Sequence, residues 1–283
     1  MTPFFLLSGA GNDFLALAEP ARRPTGEEIR AWCRRGLSVG ADGLFVLDRS
    51  SPPSGRTPAV GMEYWNADGR PAELCLNGAR CAARLAFSLG WARERVLVVS
   101  AAGAMEGVEL DGSVVRLEGA PLPRGAPEEL VVATAAGELR GSRVVVGVPH
   151  FVLEVADVAA AAVATVGPIV RWHEAFASAG TNVDFVARAG PSHLALRTWE
   201  RGVEAETLAC GTGVLAAVAV LLESGRLTLP ATVRTRGGFA LEVGGSAPGG
   251  TVERWSLSGD ARLLARGELL SGAAVGPQAT AVC

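Results

Sequence analysis

Two stretches of this chain are built to one plan, and that repetition restricts the fold more than any other feature. The first is AELCLNGARCAARLAFSLG, Ala72 to Gly90; the second is LACGTGVLAAVAVLLESG, Leu208 to Gly225. Each has a cysteine, a glycine three residues later, then an alanine-rich apolar run of about four turns closed by glycine. The match continues beyond the helices: Cys75 to Gly103 is 28 residues, and so is Cys210 to Gly238. Both segments read cysteine, helix, turn, strand, glycine, strand. Two Ala-rich core helices can look alike by chance, but the same order of elements at the same offset favours two structurally related halves. Both runs are apolar nearly all round, which predicts buried helices.

Most of the remaining chain reads as short strands between Gly, Pro and Asp turns, among them GLFVLDRS, VGMEYWNADG, RVLVVSAAG, TNVDFVAR, HLALRTWERG and FALEVGG. Helical patterns are fewer. TGEEIRAWCRRG has Thr25 as an expected N-cap with Glu28 three residues on, and DVAAAAVATVG is the other outside the two cysteine-led runs. Strands dominate without a regular βαβ alternation, so the expected class is α+β. The expected architecture is two pseudo-symmetric halves, each a central helix wrapped by strands, with the site in the cleft between them. The proline-dense APLPRGAPEE, Ala120 to Glu129, is the best boundary. It divides the chain into residues 1–122, expected to be completed by C-terminal strands in 257–283, and residues 123–256.

Composition excludes several functions. Nearly half of the 283 residues are apolar and only 19% are charged, which describes a folded globular protein. A net charge of −3 with no basic stripe argues against a nucleic-acid partner. The longest strongly apolar run, Val214 to Leu222, falls far short of the ~20 residues of a membrane helix. MTPFFLLSGAGNDF has no basic leader and no continuous apolar core of a secretory signal, so a cytoplasmic location is expected. All 26 basic residues are arginine. Without a lysine, the chain has no amine to hold pyridoxal phosphate as an internal Schiff base. The five cysteines and three scattered histidines form no zinc-spaced cluster, and the odd thiol count argues for free thiols. No cofactor and no metal is expected.

A cysteine at a helix start sits among backbone N–H groups that lack partners and at the positive end of the peptide dipoles. That position favours the thiolate and predicts a thiol pKa below its usual ~8.5. The same N–H groups suit a substrate carboxylate, and the glycines of CLNG and CGTG allow close backbone approach. Two such cysteines facing one cleft provide a base on one side of a carbon and an acid on the other, the arrangement that inverts a stereocentre. Cys33 and Cys81 lie in apolar helical patterns and read as packing residues; Cys283 is terminal.

Several motifs together resemble the diaminopimelate epimerase family, the pyridoxal-independent two-cysteine enzymes. They are GAGNDFL (Gly9 to Leu15), VGADGL (Val39 to Leu44), YWNADG (Tyr64 to Gly69), ELCLNGARC (Glu73 to Cys81), GVPH (Gly147 to His150), GTNVDFV (Gly180 to Val186), TWERG (Thr198 to Gly202) and ETLACGTG (Glu206 to Gly213). The resemblance runs the length of the chain. It implies that Cys75 and Cys210 are the acid/base pair and that His150 and Glu200 serve beside them. It also implies that Leu76–Asn77 and Gly211–Thr212 present amides to the reacting carboxylate, and that Asn12, Asn66, Asn182, Glu200 and Arg201 hold the rest of the substrate. Read from the residues alone, Arg201 is either a clamp for a second carboxylate or the partner of Glu200 in a surface pair. His150 is equally open to a structural role.

The implied reaction is epimerisation of LL- to meso-diaminopimelate, in lysine and peptidoglycan precursor synthesis, by a homodimer acting on a small amino acid. Three departures bear on the substrate. Leu76 replaces the family's glycine and is expected to crowd the amide-lined pocket. Val148 replaces an asparagine expected at the distal end of the substrate. RGVEAETLACG is one residue longer than the usual spacing between Arg and Cys. The alternatives are a racemase of another amino acid, such as histidine, on the same scaffold, and a non-catalytic amino-acid-binding relative.

Overall fold

The computed structural model describes residues 1–51, 57–72, 74–120, 123–134, 137–246 and 254–270. The chain begins with β1 (Thr2–Gly9), β2 (Asn12–Ala18), α1 (Gly26–Cys33), β3 (Gly43–Ser50), β4 (Ala59–Asn66), α2 (Leu76–Ser88), β5 (Arg95–Ser100), β6 (Gly103–Asp111) and β7 (Val114–Ala120). It continues with β8 (Glu128–Thr134), β9 (Gly137–Val146), β10 (Val148–Glu154), α3 (Val163–Arg171), β11 (Asn182–Arg188), β12 (His193–Glu200) and β13 (Ala205–Thr207). The last elements are α4 (Gly211–Glu223), β14 (Ala231–Arg234), β15 (Ala240–Ser246), β16 (Arg254–Asp260) and β17 (Arg262–Leu269).

All strands belong to one mixed sheet. Read across, its neighbours are β17, β1, β2, β3, β4, β5, β6 and β7, then β16, β15, β14, β12, β11, β10, β9 and β8, with the short β13 added to β12. The pairing sense repeats on either side of the antiparallel β7–β16 junction. The parallel pairs β2–β3 and β4–β5 of one side correspond to β10–β11 and β12–β14 of the other. All the remaining corresponding pairs are antiparallel. The two long helices occupy the same place in each set, inserted before β5 and before β14. Gly103 and Gly238, 28 residues beyond their cysteines, both have positive φ, +112° and +80°; Gly103 opens β6, and Gly238 lies in the turn two residues before β15. The expectation of an α+β fold with two related halves is met.

Burial explains why the helices must be wrapped. Residues 76–86 of α2 and 211–221 of α4 are all buried. In α2 this includes two arginines, which the apolar reading passed over. Arg84 donates to the carbonyls of Ala261 (3.1 Å) and Asp111 (2.6 Å) and pairs with Glu109. Arg80 donates to Asn77 Oδ1 at 2.7 Å and to the carbonyl of Asp260 at 3.4 Å. The β16–β17 turn is thereby tied to α2, and β17 can return to pair with β1.

The capping box at Thr25 is present, with Glu28 N donating to the threonine hydroxyl and Glu28 Oε2 accepting from Thr25 N. DVAAAAVATVG is only partly helical, because α3 starts at Val163 and runs on through Pro168. The reason lies in Arg197, whose guanidinium takes the carbonyls of Val158, Ala159 and Ala161 and holds that segment irregular. Cys33 and Cys81 are buried and pack as expected; Cys283 lies outside the described residues.

Because one sheet spans both halves, unfolding in urea should be a single transition. Leu257, fully buried on β16 and paired with Leu117 across the junction, should lower stability by about 2–5 kcal/mol on replacement by alanine. Two resolved transitions would contradict the continuous core.

Candidate active site

Cys75 and Cys210 are the N-caps of α2 and α4 and share one extended backbone conformation, φ/ψ −138°/101° and −116°/110°. Each Sγ accepts from the amide three residues on: Gly78 N at 3.3 Å and Gly213 N at 3.4 Å. The Thr212 hydroxyl lies 3.4 Å from Cys210 Sγ. Both cysteines line a single cavity of about 490 Å³, together with Asn12, Tyr64, Asn66, Asn77 and Glu200. The helix starts touch: a Cβ at Gly211 would lie 2.9 Å from Leu76 Cβ and 3.3 Å from Leu257 Cδ2. Only glycine fits there. Leu76 lines the cavity but is only 2% exposed, its Cβ and Cδ1 lying against Gly211.

The electrostatics correct one expectation. A helix start should lower a thiol pKa, yet burial pushes Cys75 up to about 12 and Cys210 well above its ordinary value. Desolvation of the thiolate outweighs the amides in both. The Gly78 amide, the Arg80 guanidinium and the Tyr64 hydroxyl oppose it at Cys75. At Cys210, Glu200 and Asp184 add to it, against Thr212 and Gly213. Burial also raises Glu200 to about 7, against a hydrogen bond from the Thr207 hydroxyl at 2.8 Å.

Behind these groups lies a buried polar row. His150 Nδ1 meets Asp184 Oδ2 at 2.7 Å, and the Thr198 hydroxyl donates to Asp184 Oδ1 at 2.7 Å. His150 and Asp184 are fully buried, and His150 Nε2 has no hydrogen-bond partner among the described residues. A Cβ at Gly213 would overlap Asp184 Oδ1, so the row comes close to the first turn of α4.

The sequence matches the family model described as diaminopimelate epimerase over residues 4–116 and 143–250. A diaminopimelate epimerase of Aquifex aeolicus is 36% identical over 252 residues, covering 85% of this chain and 88% of its own. One from Gemmatimonas aurantiaca is 36% identical over 279 residues, covering 94% and 98%. The chain belongs to the diaminopimelate epimerase family. In fold it is also similar to the crystal structure of a probable proline racemase from Agrobacterium radiobacter, with a TM-score of 0.74, 15% identity, and coverage of 97% of this chain and 96% of that one.

For a diaminopimelate epimerase family member, the cavity holds some of the anticipated residues and not others. Asn12, Asn66, Cys75, Leu76, Asn77, Glu200, Cys210, Gly211 and Thr212 line it. Asn12 and Asn77 are joined by a 2.6 Å hydrogen bond from Asn77 Nδ2. His150, Asn182 and Arg201 do not line it. Asn182 brackets backbone instead, donating to the carbonyl of Pro149 at 3.0 Å and accepting from Arg201 N at 2.8 Å. The Arg201 side chain reaches the carbonyl of Ala179 at 3.4 Å. Asp184 and Tyr64 were not singled out from the sequence. The signal for Asp184 was an acidic residue inside the otherwise apolar VDFVA; for Tyr64 it was a phenol two residues before Asn66.

The raised Glu200 has a signed consequence. Its carboxylate carries no penalty below pH 4.5 and the full penalty above about pH 7. Its contribution should therefore lower Tm as pH rises through that window, and Glu200→Gln should flatten the Tm-against-pH curve there. An unchanged slope in the variant would show that Glu200 is not held in a desolvating site.

Proposed function

We propose that this chain epimerises LL-diaminopimelate to meso-diaminopimelate by a two-base thiol/thiolate mechanism without a cofactor. The observation that carries the reading is the placement of two cysteine N-caps from pseudo-equivalent helices on one cavity. One sulfur, as thiolate, takes the α-proton; the other, as thiol, delivers a proton to the opposite face. The first-turn amides of Leu76–Asn77 and Gly211–Thr212 hold the α-carboxylate and the charge that develops as the proton leaves. Glu200, raised to about 7 by burial and so only part-ionised at neutral pH, gains its counter-charge from the substrate ammonium.

The halves that form the cleft are residues 1–122, completed by C-terminal residues from 257 onward, and residues 123–256. The return of β17 to β1 supports that division, although β16 pairs with both β15 and β7, and residues 271–283 lie outside the described part. The family relationship supports a cytoplasmic homodimer serving lysine and peptidoglycan precursor synthesis. Among the described residues, no helix is long and apolar enough to cross a membrane.

A second reading, racemisation of a different amino acid such as histidine, is favoured by two observations. Val148 stands where a distal amide was expected, and Arg201 is not on the cavity wall. Steady-state kinetics on LL-diaminopimelate and L-histidine separate the readings. Diaminopimelate should be preferred, and Val148→Asn should lower its KM about tenfold or more, the effect of restoring a hydrogen bond of about 1–3 kcal/mol. Faster turnover of histidine would move the assignment to the second reading.

The chemistry is tested by Cα deuterium incorporation in heavy water. Cys75→Ala and Cys210→Ala should each abolish epimerisation, whereas Cys81→Ala should lower stability and leave turnover near wild type. Retained epimerisation in Cys210→Ala would sink the two-base mechanism.

A further inference from the structure

Arg80 lies on α2 five residues beyond Cys75, and it is fully buried. Among the described residues its hydrogen bonds go to an asparagine side chain and a backbone carbonyl, not to a carboxylate, and Nη1 has no partner. The carboxylate of Asp260 turns instead to Arg262 at 2.7 Å and to the amide of Ala10 at 3.2 Å. Burying a guanidinium without an ion pair costs stability. The other half shows that the fold needs no charge at this place. Counted from the two cysteines, the residue of α4 that matches Arg80 is Leu215, which is also fully buried. A leucine meets the packing there, so the guanidinium has a different task.

Its short contact is the 2.7 Å bond from Nη2 to Asn77 Oδ1; the Asp260 carbonyl, at 3.4 Å from Nε, is held more weakly. Arginine has only donors, so the atom of Asn77 that faces it is the amide oxygen. The amide nitrogen therefore points away from Arg80 and donates twice, to Asn12 Oδ1 at 2.6 Å and to the carbonyl of Ala209 at 2.9 Å. Asn12 is oriented in turn, its own nitrogen donating to Asp42 Oδ2 at 3.1 Å. A donor-only group at one end and an acceptor-only carboxylate at the other fix the sense of both amides. Ala209 directly precedes Cys210, and its carbonyl belongs to the peptide unit that leads into that cysteine. Asn77, two residues beyond the first cysteine and 3% exposed, thus grips the entry to the second. The residue matching Asn77 is Thr212, whose hydroxyl stays within its own half, 3.4 Å from Cys210 Sγ.

From this geometry we infer that Arg80 is a positioning residue of the site: by fixing the amide of Asn77 it holds the start of α4, and with it Cys210, in place against Cys75. The inference rests on the proposed reading that both sulfurs act on one substrate carbon. Arg80 does not line the cavity, so its effect passes through Asn77. Without the guanidinium, Asn77 Oδ1 loses its donor, and nothing stops the amide from turning its oxygen toward the Ala209 carbonyl, which repels it. The bond between the two helix starts is then lost. Proton transfer to and from one carbon tolerates little misplacement, and about 1 Å costs roughly a hundredfold in rate. The first-turn backbone amides remain for the substrate carboxylate, so turnover suffers more than binding.

The test is Arg80→Met, which keeps a long stem and removes the donors together with the buried charge. With LL-diaminopimelate, kcat should fall about a hundredfold while KM stays within about threefold. Tm should stay level or rise, because an unpaired buried charge has gone. Asn77→Ala should show the same loss of kcat, and the double variant should be no slower than Asn77→Ala alone, since Arg80 acts through Asn77. A kcat near wild type in Arg80→Met, losses that multiply in the double variant, or a kcat loss that merely follows a fall in Tm would each overturn the inference. A second readout needs no substrate. In the nitrogen–proton NMR spectrum the Asn77 side-chain amide, identified by its absence in Asn77→Ala, should exchange with heavy water far more slowly than a free asparagine amide. Arg80→Met should remove that protection. Should Arg80→Met not fold, the wild-type spectrum still decides, because an unprotected Asn77 amide would show that no clamp exists. A chain that turns over no diaminopimelate would overturn the proposed function while leaving the amide measurement valid.

Discussion

Sulfur is a weak hydrogen-bond acceptor, so a helix capped by a cysteine starts with its first amides poorly satisfied. Here two helices start that way and meet at their starts, Leu76 against Gly211. Much of the remaining architecture makes that arrangement tolerable. Eleven consecutive residues of each helix are buried beyond the cap, and burial of that extent outweighs the weakness of a thiol cap. The sheet must then curve round each helix and close at β7–β16. The exposed amides, the desolvated sulfurs and the shared cavity all follow from where the two helices begin.

Symmetry in the backbone does not carry over to the chemistry. The pairing sense of the strands is the same on the two sides, and so are the cap dihedrals. Yet Phe14 and Tyr64 line the cavity with Cys75, the buried His150–Asp184 pair comes close to the first turn behind Cys210, and Glu200 acts on both sulfurs. The repeated backbone supplies equivalent positions around a substrate carbon. The side chains then differentiate them, which an epimerase requires if its two sulfurs are to begin in different protonation states.

Much of this was legible in the sequence where periodicity and spacing speak. The cysteine-led helices, the Thr25 capping box and the 28-residue offset all depend on neighbours in sequence, and all are present. Elements decided by distant contacts were harder to read. The start of α3 is displaced by Arg197, a residue on another strand. Strand β17 has a mostly exposed pattern with little alternation, and its place next to β1 is secured by arginines of α2. At the site, the helix-start argument located both cysteines but gave the wrong direction for their acidity. Desolvation depends on what surrounds a group in three dimensions, and no motif encodes it. Asn182 shows the same limit: its residue type suited a ligand, but its amide is bound to two backbone groups.

The path of β17 has a consequence for how the molecule is made. Strands β8 to β16 follow one another without interruption, so that set can close as soon as it has left the ribosome. The set that begins with β1 is translated first but lacks its outer strand until residue 269 has been made. The half that emerges second can therefore be complete before the half that emerges first. Pairing of residues so far apart in sequence is slow, and the edge of β1 must wait exposed for nearly the whole of translation.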